Sequence, residues 1–144
     1  MNVEDFDIMG KVSNLDFDVK EGELNMELVK IPSYIFEAGL ILAMTRQRLD
    51  DFKRQLELTE AAADTAVRDR PQEFNINGKV TEAAVEAAVI GCEEVKELRE
   101  KVIQAKHAND VAYAAVSALE AKRKSLESLV QLQSINYYAA RNVA

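Results

Sequence analysis

The sequence predicts a mostly α fold, with two long antiparallel heptad-patterned helices, a short helix between them and an N-terminal β-hairpin, assembling into an oligomer. Three observations predict it. Apolar residues make up 48% of the 144 positions, yet Trp is absent and aromatics reach only 6%, so Ala, Val and Leu must supply buried surface through close helix packing. Five Gly and two Pro leave few places to break the chain into short elements. Apolar residues also recur every seven positions along two stretches, each of roughly forty residues, which is the spacing of helices that pack along a seam.

Residues 1–32 form an acidic N-terminal segment: residues 1–30 hold eight acids against three bases. Within it, Leu15, Phe17 and Val19 alternate with Asn14, Asp16 and Asp18, and Leu24, Met26 and Leu28 alternate with Asn25 and Glu27. Period two predicts two strands, and Lys20-Glu21-Gly22-Glu23 suits a hairpin connection. A lone hairpin is marginal in water, so it must pack on helices or pair with another subunit. Its acidic face has three readings: the polar side of an edge ribbon that discourages aggregation, a contact for a basic partner, or a competitor for a basic groove on the same protein.

Residues 33–134 are the helical domain. Pro32-Ser33 reads as a boundary, with Ser33 capping a helix that runs to about Arg70, where Pro71 stops it. Ile35, Leu42, Leu49, Leu56 and Ala63 form one heptad column of that helix, and Ala38, Thr45, Phe52, Thr59 and Ala66 the other. Asp69 to Lys79 is a polar loop with Pro71, Asn75, Asn77 and Gly78, after which Thr81 caps a short helix, Glu82 to Ile90, ended by Gly91. From Glu93 to about Ser134 a second long helix carries Val95, Val102, Val116 and Val130 in one column and Leu98, Ala105, Ala112, Leu119 and Leu126 in the other. Asn109 and Arg123 interrupt the first column, as register-fixing polar residues do. Residues 135–144 read as a tail carrying Tyr137, Tyr138 and Arg141.

Each long helix would run about 60 Å, more than a compact domain of this mass needs, and a helix pair alone leaves apolar surface exposed. Faces of small residues such as Ala112, Ala115, Ala118 and Ala121 suit close approach by further helices. Homo-oligomerisation is the expectation.

The sequence offers no catalytic set. It contains no glycine-rich nucleotide loop, and His107 is the sole histidine, on a polar stretch that reads as surface. Cys92, the sole cysteine, excludes an intramolecular disulfide and reads as a small packing residue in a reducing compartment. Acids at helical spacing, Glu57, Glu60 and Asp64 or Glu93, Glu97 and Glu100, are interleaved with bases and read as an ion-paired face rather than a cation site. The expectation is a non-enzymatic protein with no cofactor or metal. No signal peptide is recognisable, and no run approaches the ~18 apolar residues of a membrane span, so no membrane partner is expected.

The net charge of −7 is uneven, since residues 93–144 hold eight bases against seven acids. Lys122-Arg123-Lys124 is the only run of three bases, with the tyrosines of the tail beyond it. Cations beside aromatic rings suit single-stranded nucleic acid, because cations neutralise phosphates and rings stack on bases; three bases near a helix C-terminus equally complement its dipole. Arg68, Arg70 and Lys79 form a second set around the helix-loop junction. If Arg123 occupies the seam, at most two of the three bases in the run are free to meet phosphate.

The order of elements resembles the UvsY-type recombination mediators of tailed bacteriophages. The matching stretches are Leu28-Val29-Lys30-Ile31-Pro32-Ser33, then Gly78-Lys79-Val80-Thr81-Glu82-Ala83-Ala84-Val85, and above all Ala118-Leu119-Glu120-Ala121-Lys122-Arg123-Lys124-Ser125-Leu126-Glu127-Ser128-Leu129-Val130 followed by Tyr137 and Tyr138. The resemblance spans roughly residues 15 to 138. It implies a ring-like or similar homo-oligomer that binds single-stranded DNA, displaces single-strand-binding protein and helps load a RecA-like recombinase in the cytoplasm of a phage-infected or lysogenic bacterial host. It also implies phosphate contacts near the helix-loop junction, here Arg68, Arg70 and Lys79 by position. The competing expectation is a structural or protein-interaction coiled coil that binds no DNA.

Overall fold

The computed structural model of the chain describes the backbone of residues 7–142 and the side chains of residues 7–136. Four α-helices follow in order: α1 (Ile8–Ser13), α2 (Leu24–Asp69), α3 (Glu82–Gly91) and α4 (Glu93–Asn142). Single 3-10 turns at Glu21–Glu23 and Pro71–Phe74 precede α2 and follow it. No strand occurs among the described residues.

The predicted β-hairpin is therefore corrected. Its second arm, from Leu24, forms the start of α2, and its first arm, residues 14–19, is a turn and a bend followed by irregular backbone. Leu24, Glu27, Ile31 and Tyr34 recur at helical spacing, and all but half-buried Tyr34 are fully buried. A helix puts this whole set on one face, whereas a strand would split it between two. Packing of that face also overrides Pro32, which lies inside α2 instead of before it, and Ser33 caps nothing. Pro32 removes one backbone donor from the helix, and its ring faces solvent, which spares the core. The tail is likewise corrected, because α4 continues to Asn142.

The short helix α1, not expected from the sequence, starts where the Asp7 carboxylate accepts the Gly10 N–H at 2.7 Å. The remaining boundaries fall where the sequence puts them. α2 stops at Asp69, before Pro71. Asn75 turns the chain in the left-handed region at φ 61°, where an Asn is tolerated, and Gly78 takes φ 151°, open to glycine alone. The Thr81 hydroxyl then accepts the Ala84 N–H at 3.2 Å as the cap of α3.

The chain packs as two units, residues 1–44 with 109–144, and residues 45–108. In the first, Leu15, Ile31, Ala38, Ala115 and Leu119 form the core, with Val12, Phe17, Tyr34, Ile35 and Val116 packed on it. The segment before α2 is thus part of this core, joined to both long helices. In the second, Val67, Val85, Val89 and Val95 are the core, flanked by Leu56, Ala63, Phe74, Ile76, Ala88 and Cys92. A two-pronged ion pair reinforces this unit, with Arg99 donating to Glu60 Oε1 through Nε at 3.1 Å and Nη2 at 2.7 Å.

The seams follow heptads, with one shift of register. On α4 the column Ala105, Ala112, Leu119, Leu126 is buried as the spacing predicts, but its companions are Ala108, Ala115, Lys122 and Leu129, each one residue before the expected Asn109, Val116, Arg123 and Val130. On α2 before Thr45 the companions of Ile31 and Ala38 are Glu27, Tyr34 and Ile41, again one residue early, whereas beyond Thr45 the expected Leu49, Leu56 and Ala63 face inward. An uncoiled α-helix drifts about 20° per heptad against a strict seven-residue repeat, so four or five heptads amount to one residue of register.

Candidate nucleic-acid interface

The register shift decides where the six candidate bases sit. Lys122 occupies a core position, its side chain 1% exposed, while Arg123 lies half out of the seam at 42%. The expectation that Arg123 is the buried member of the run is thus corrected in favour of its neighbour.

Lys122 is held by three oxygens and a ring. Its ammonium lies 2.6 Å from Glu27 Oε2, donates to the Asp16 carbonyl at 2.8 Å, and stands 3.8 Å from Asp16 Oδ1. The Tyr34 ring centroid is 5.9 Å away, within cation–π range. Glu27 is 3% exposed and its Oε2 receives no hydrogen bond of good direction, so its partner is ionic. A buried charge of either sign is costly alone, which explains why the two sit together. Lys20 lies 3.2 Å from Asp16 Oδ2. That contact, with the Asp18 N–H that Asp16 accepts and the nearby Lys122 charge, holds the Asp16 carboxyl below its ordinary range.

The remaining bases lie at the surface in different states. Arg123 bridges Glu120 and Glu127, each at 3.0 Å, and both acids raise its pKa. Arg68 is clamped twice, to Asp64 Oδ1 at 2.7 Å and to Glu82 Oε2 at 2.7 Å. That bridge from the end of α2 to the start of α3 raises the guanidinium pKa and lowers that of Glu82. Arg70 pairs with Glu73 at 3.4 Å. Lys79 and Lys124 are exposed, and among the described residues their side chains make no ion pair. The helix-loop set belongs to one unit and the Lys122–Lys124 run to the other. The side chains of Tyr137, Tyr138 and Arg141 lie outside the described residues.

Sequence reasoning missed Glu27 and Asp16, the residues that hold Lys122. The only available signal was negative: Glu27 is an acid flanked by apolar Leu24, Leu28 and Ile31 at helical spacing, where a carboxylate needs a cation. His107 is exposed, as its polar stretch predicts, and half-buried Cys92 donates its thiol to the Ala88 carbonyl at 3.4 Å. Among the described residues no three metal-ligating side chains cluster.

The exposed side of α2 in the first unit is apolar. Met26, Val29, Phe36, Leu40 and Met44 are 46–79% exposed and recur every three to seven residues along one face. Among the described residues the helical stretch Glu21–Asp69 is long and apolar enough to cross a membrane by length and composition alone, although Pro32, Ser33 and Glu37 interrupt its apolar residues. No protein family, curated protein or solved structure matches the chain.

Proposed function

We propose that this protein is a non-enzymatic, homo-oligomeric recombination mediator that binds single-stranded DNA, displaces single-strand-binding protein and helps load a RecA-like recombinase. The observation that carries the reading is the state of Lys79 and Lys124. Both are exposed cations without a carboxylate partner among the described residues, and each lies in one of the three segments that carry the resemblance to UvsY-type mediators. Two such lysines give one subunit a weak hold on phosphate. Repeated around an oligomer they give a strand many weak contacts, strong together and individually exchangeable. Exchange is what a mediator requires, since it must hand the strand on. The apolar stripe from Val29 to Met44 supplies a face for self-association.

A second reading, a structural or protein-interaction coiled coil without DNA binding, is favoured by a different observation: Arg68, Arg70, Lys122 and Arg123 are all engaged by acids. Fluorescence anisotropy with a labelled single-stranded oligonucleotide separates the two. A mediator binds at about 50 mM salt and weakens steeply as salt rises, and Lys79→Glu with Lys124→Glu abolishes the binding. No binding at that salt sinks the mediator reading and leaves the coiled coil.

A further inference from the structure

We propose that residues 7–23 act as an acidic strap that masks Lys122, so that the basic run of α4 is held closed until the strap is displaced. The inference rests on the reading of the protein as a binder of single-stranded DNA.

The strap carries five acids and two bases. It is anchored by Leu15, 5% exposed, and by Val12 and Phe17, which pack on the core of the first unit. Between these anchors Asp16 delivers two of the three oxygens around the Lys122 ammonium, its own carbonyl at 2.8 Å and its Oδ1 at 3.8 Å. The third, Glu27 Oε2, belongs to α2. Docked, the strap provides a polyanion with a hydrogen-bond acceptor where a phosphate oxygen would otherwise sit.

Its displacement changes the status of the remaining pair. Glu27 and Lys122 are 3% and 1% exposed with the strap in place, and a buried pair holds its partners firmly. With water admitted, the same pair becomes a surface ion pair, whose net worth is small and whose cation exchanges readily onto phosphate. Lys122 then adds a second cation to exposed Lys124, which lies two residues on and on another face of α4. The strap is suited to move, since residues 16–20 lie outside regular secondary structure and segments of that kind open at lower cost than helix interiors.

The test compares anisotropy of a labelled oligothymidylate with the full chain and with the full chain carrying Leu15→Ser and Phe17→Ser, which uncouple the strap from the core. A second form carries a protease site after Lys20, cut after folding, and replaces no core side chain; far-UV circular dichroism checks that α2 and α4 persist in both. Strap release should tighten binding about threefold or more and steepen the log–log salt slope by about 0.7, the increment for one further phosphate on a single strand. Lys122→Met with Glu27→Leu should erase that gain. A released strap without tighter binding, or a gain that survives Lys122→Met with Glu27→Leu, overturns the masking. If the intact chain binds and release changes nothing, the masking alone fails; if neither form binds, the mediator reading falls with it.

Discussion

The Lys122 ammonium and Oε2 of Glu27 stand 2.6 Å apart with both side chains closed to solvent, tying the middle of α4 to the first turns of α2. Removing Lys122 strands the Glu27 carboxylate in the core, and removing Glu27 leaves the Lys122 ammonium with Asp16 alone. Lys122→Ala or Glu27→Ala should therefore cost about 3–5 kcal/mol, whereas Lys122→Met combined with Glu27→Leu should be neutral or stabilising by about 1–4 kcal/mol. Urea midpoints of the four proteins test this non-additivity, and single substitutions that cost no more than the double one would refute it.

The one-residue shift of the α4 seam predicts which side chains carry the packing. Leu126, fully buried in the column that holds Leu119, should lose about 2–5 kcal/mol on replacement by Ala. Val130, 37% exposed in the column expected from the heptad count, should lose far less on the same change. Equal losses would restore the register that heptad counting alone supports.

Pro32 gives a prediction of opposite sign. It sits in the interior of α2 with its ring in solvent and removes a backbone hydrogen bond that any other residue would make. A mid-helix proline costs about 3 kcal/mol against alanine, so Pro32→Ala should raise the thermal midpoint. A lowered midpoint would show that Pro32 is needed where it stands.

Acid sensitivity follows from Asp16 and Glu82, whose pKa values are lowered by Lys20 and by Arg68 respectively. A carboxyl with a depressed folded pKa contributes stability that is complete above its unfolded value, near 4, and is lost as pH falls through the folded value. The midpoint should be flat from pH 7 to about 5 and drop below about 4. Asp16→Asn with Glu82→Gln should flatten that drop, and an unchanged acid limb would assign it to other carboxyls.

Self-association should depend on the apolar stripe of α2. Phe36 and Leu40, 66% and 49% exposed, are its centre. Phe36→Glu with Leu40→Glu should convert a micromolar oligomer to monomer in sedimentation velocity without loss of helicity. A wild-type chain that already sediments as a monomer would remove the stripe from the assembly.

The long helices were legible because their signals are local: seven-residue periodicity, Pro71 as a stop, Thr81 as a cap, few glycines. The start of α2 was not. Leu24, Met26 and Leu28 fit period two, while Leu24, Ile31 and Ala38 fit a helix only when read across Pro32, and the burial that decides between them comes from contacts with α4. The site was legible to the same degree. The pairings of Arg123 with Glu120 and Glu127 lie within one helical turn and can be read from spacing. Those joining Arg68 to Glu82 and Lys122 to Glu27 depend on tertiary packing, and the second also on a register set by helix drift, so spacing carries no trace of it.

Both long helices run through both units, with the units dividing at Thr45 on one and Asn109 on the other. Melting one unit alone would create two new helix ends in mid-span, each with unsatisfied backbone groups. Partial unfolding is thereby penalised at its boundary. Amide protons around Thr45 and Asn109 should exchange with deuterium only as slowly as the whole molecule opens, while those of residues 16–20 exchange far faster, giving one chain with two widely separated clocks.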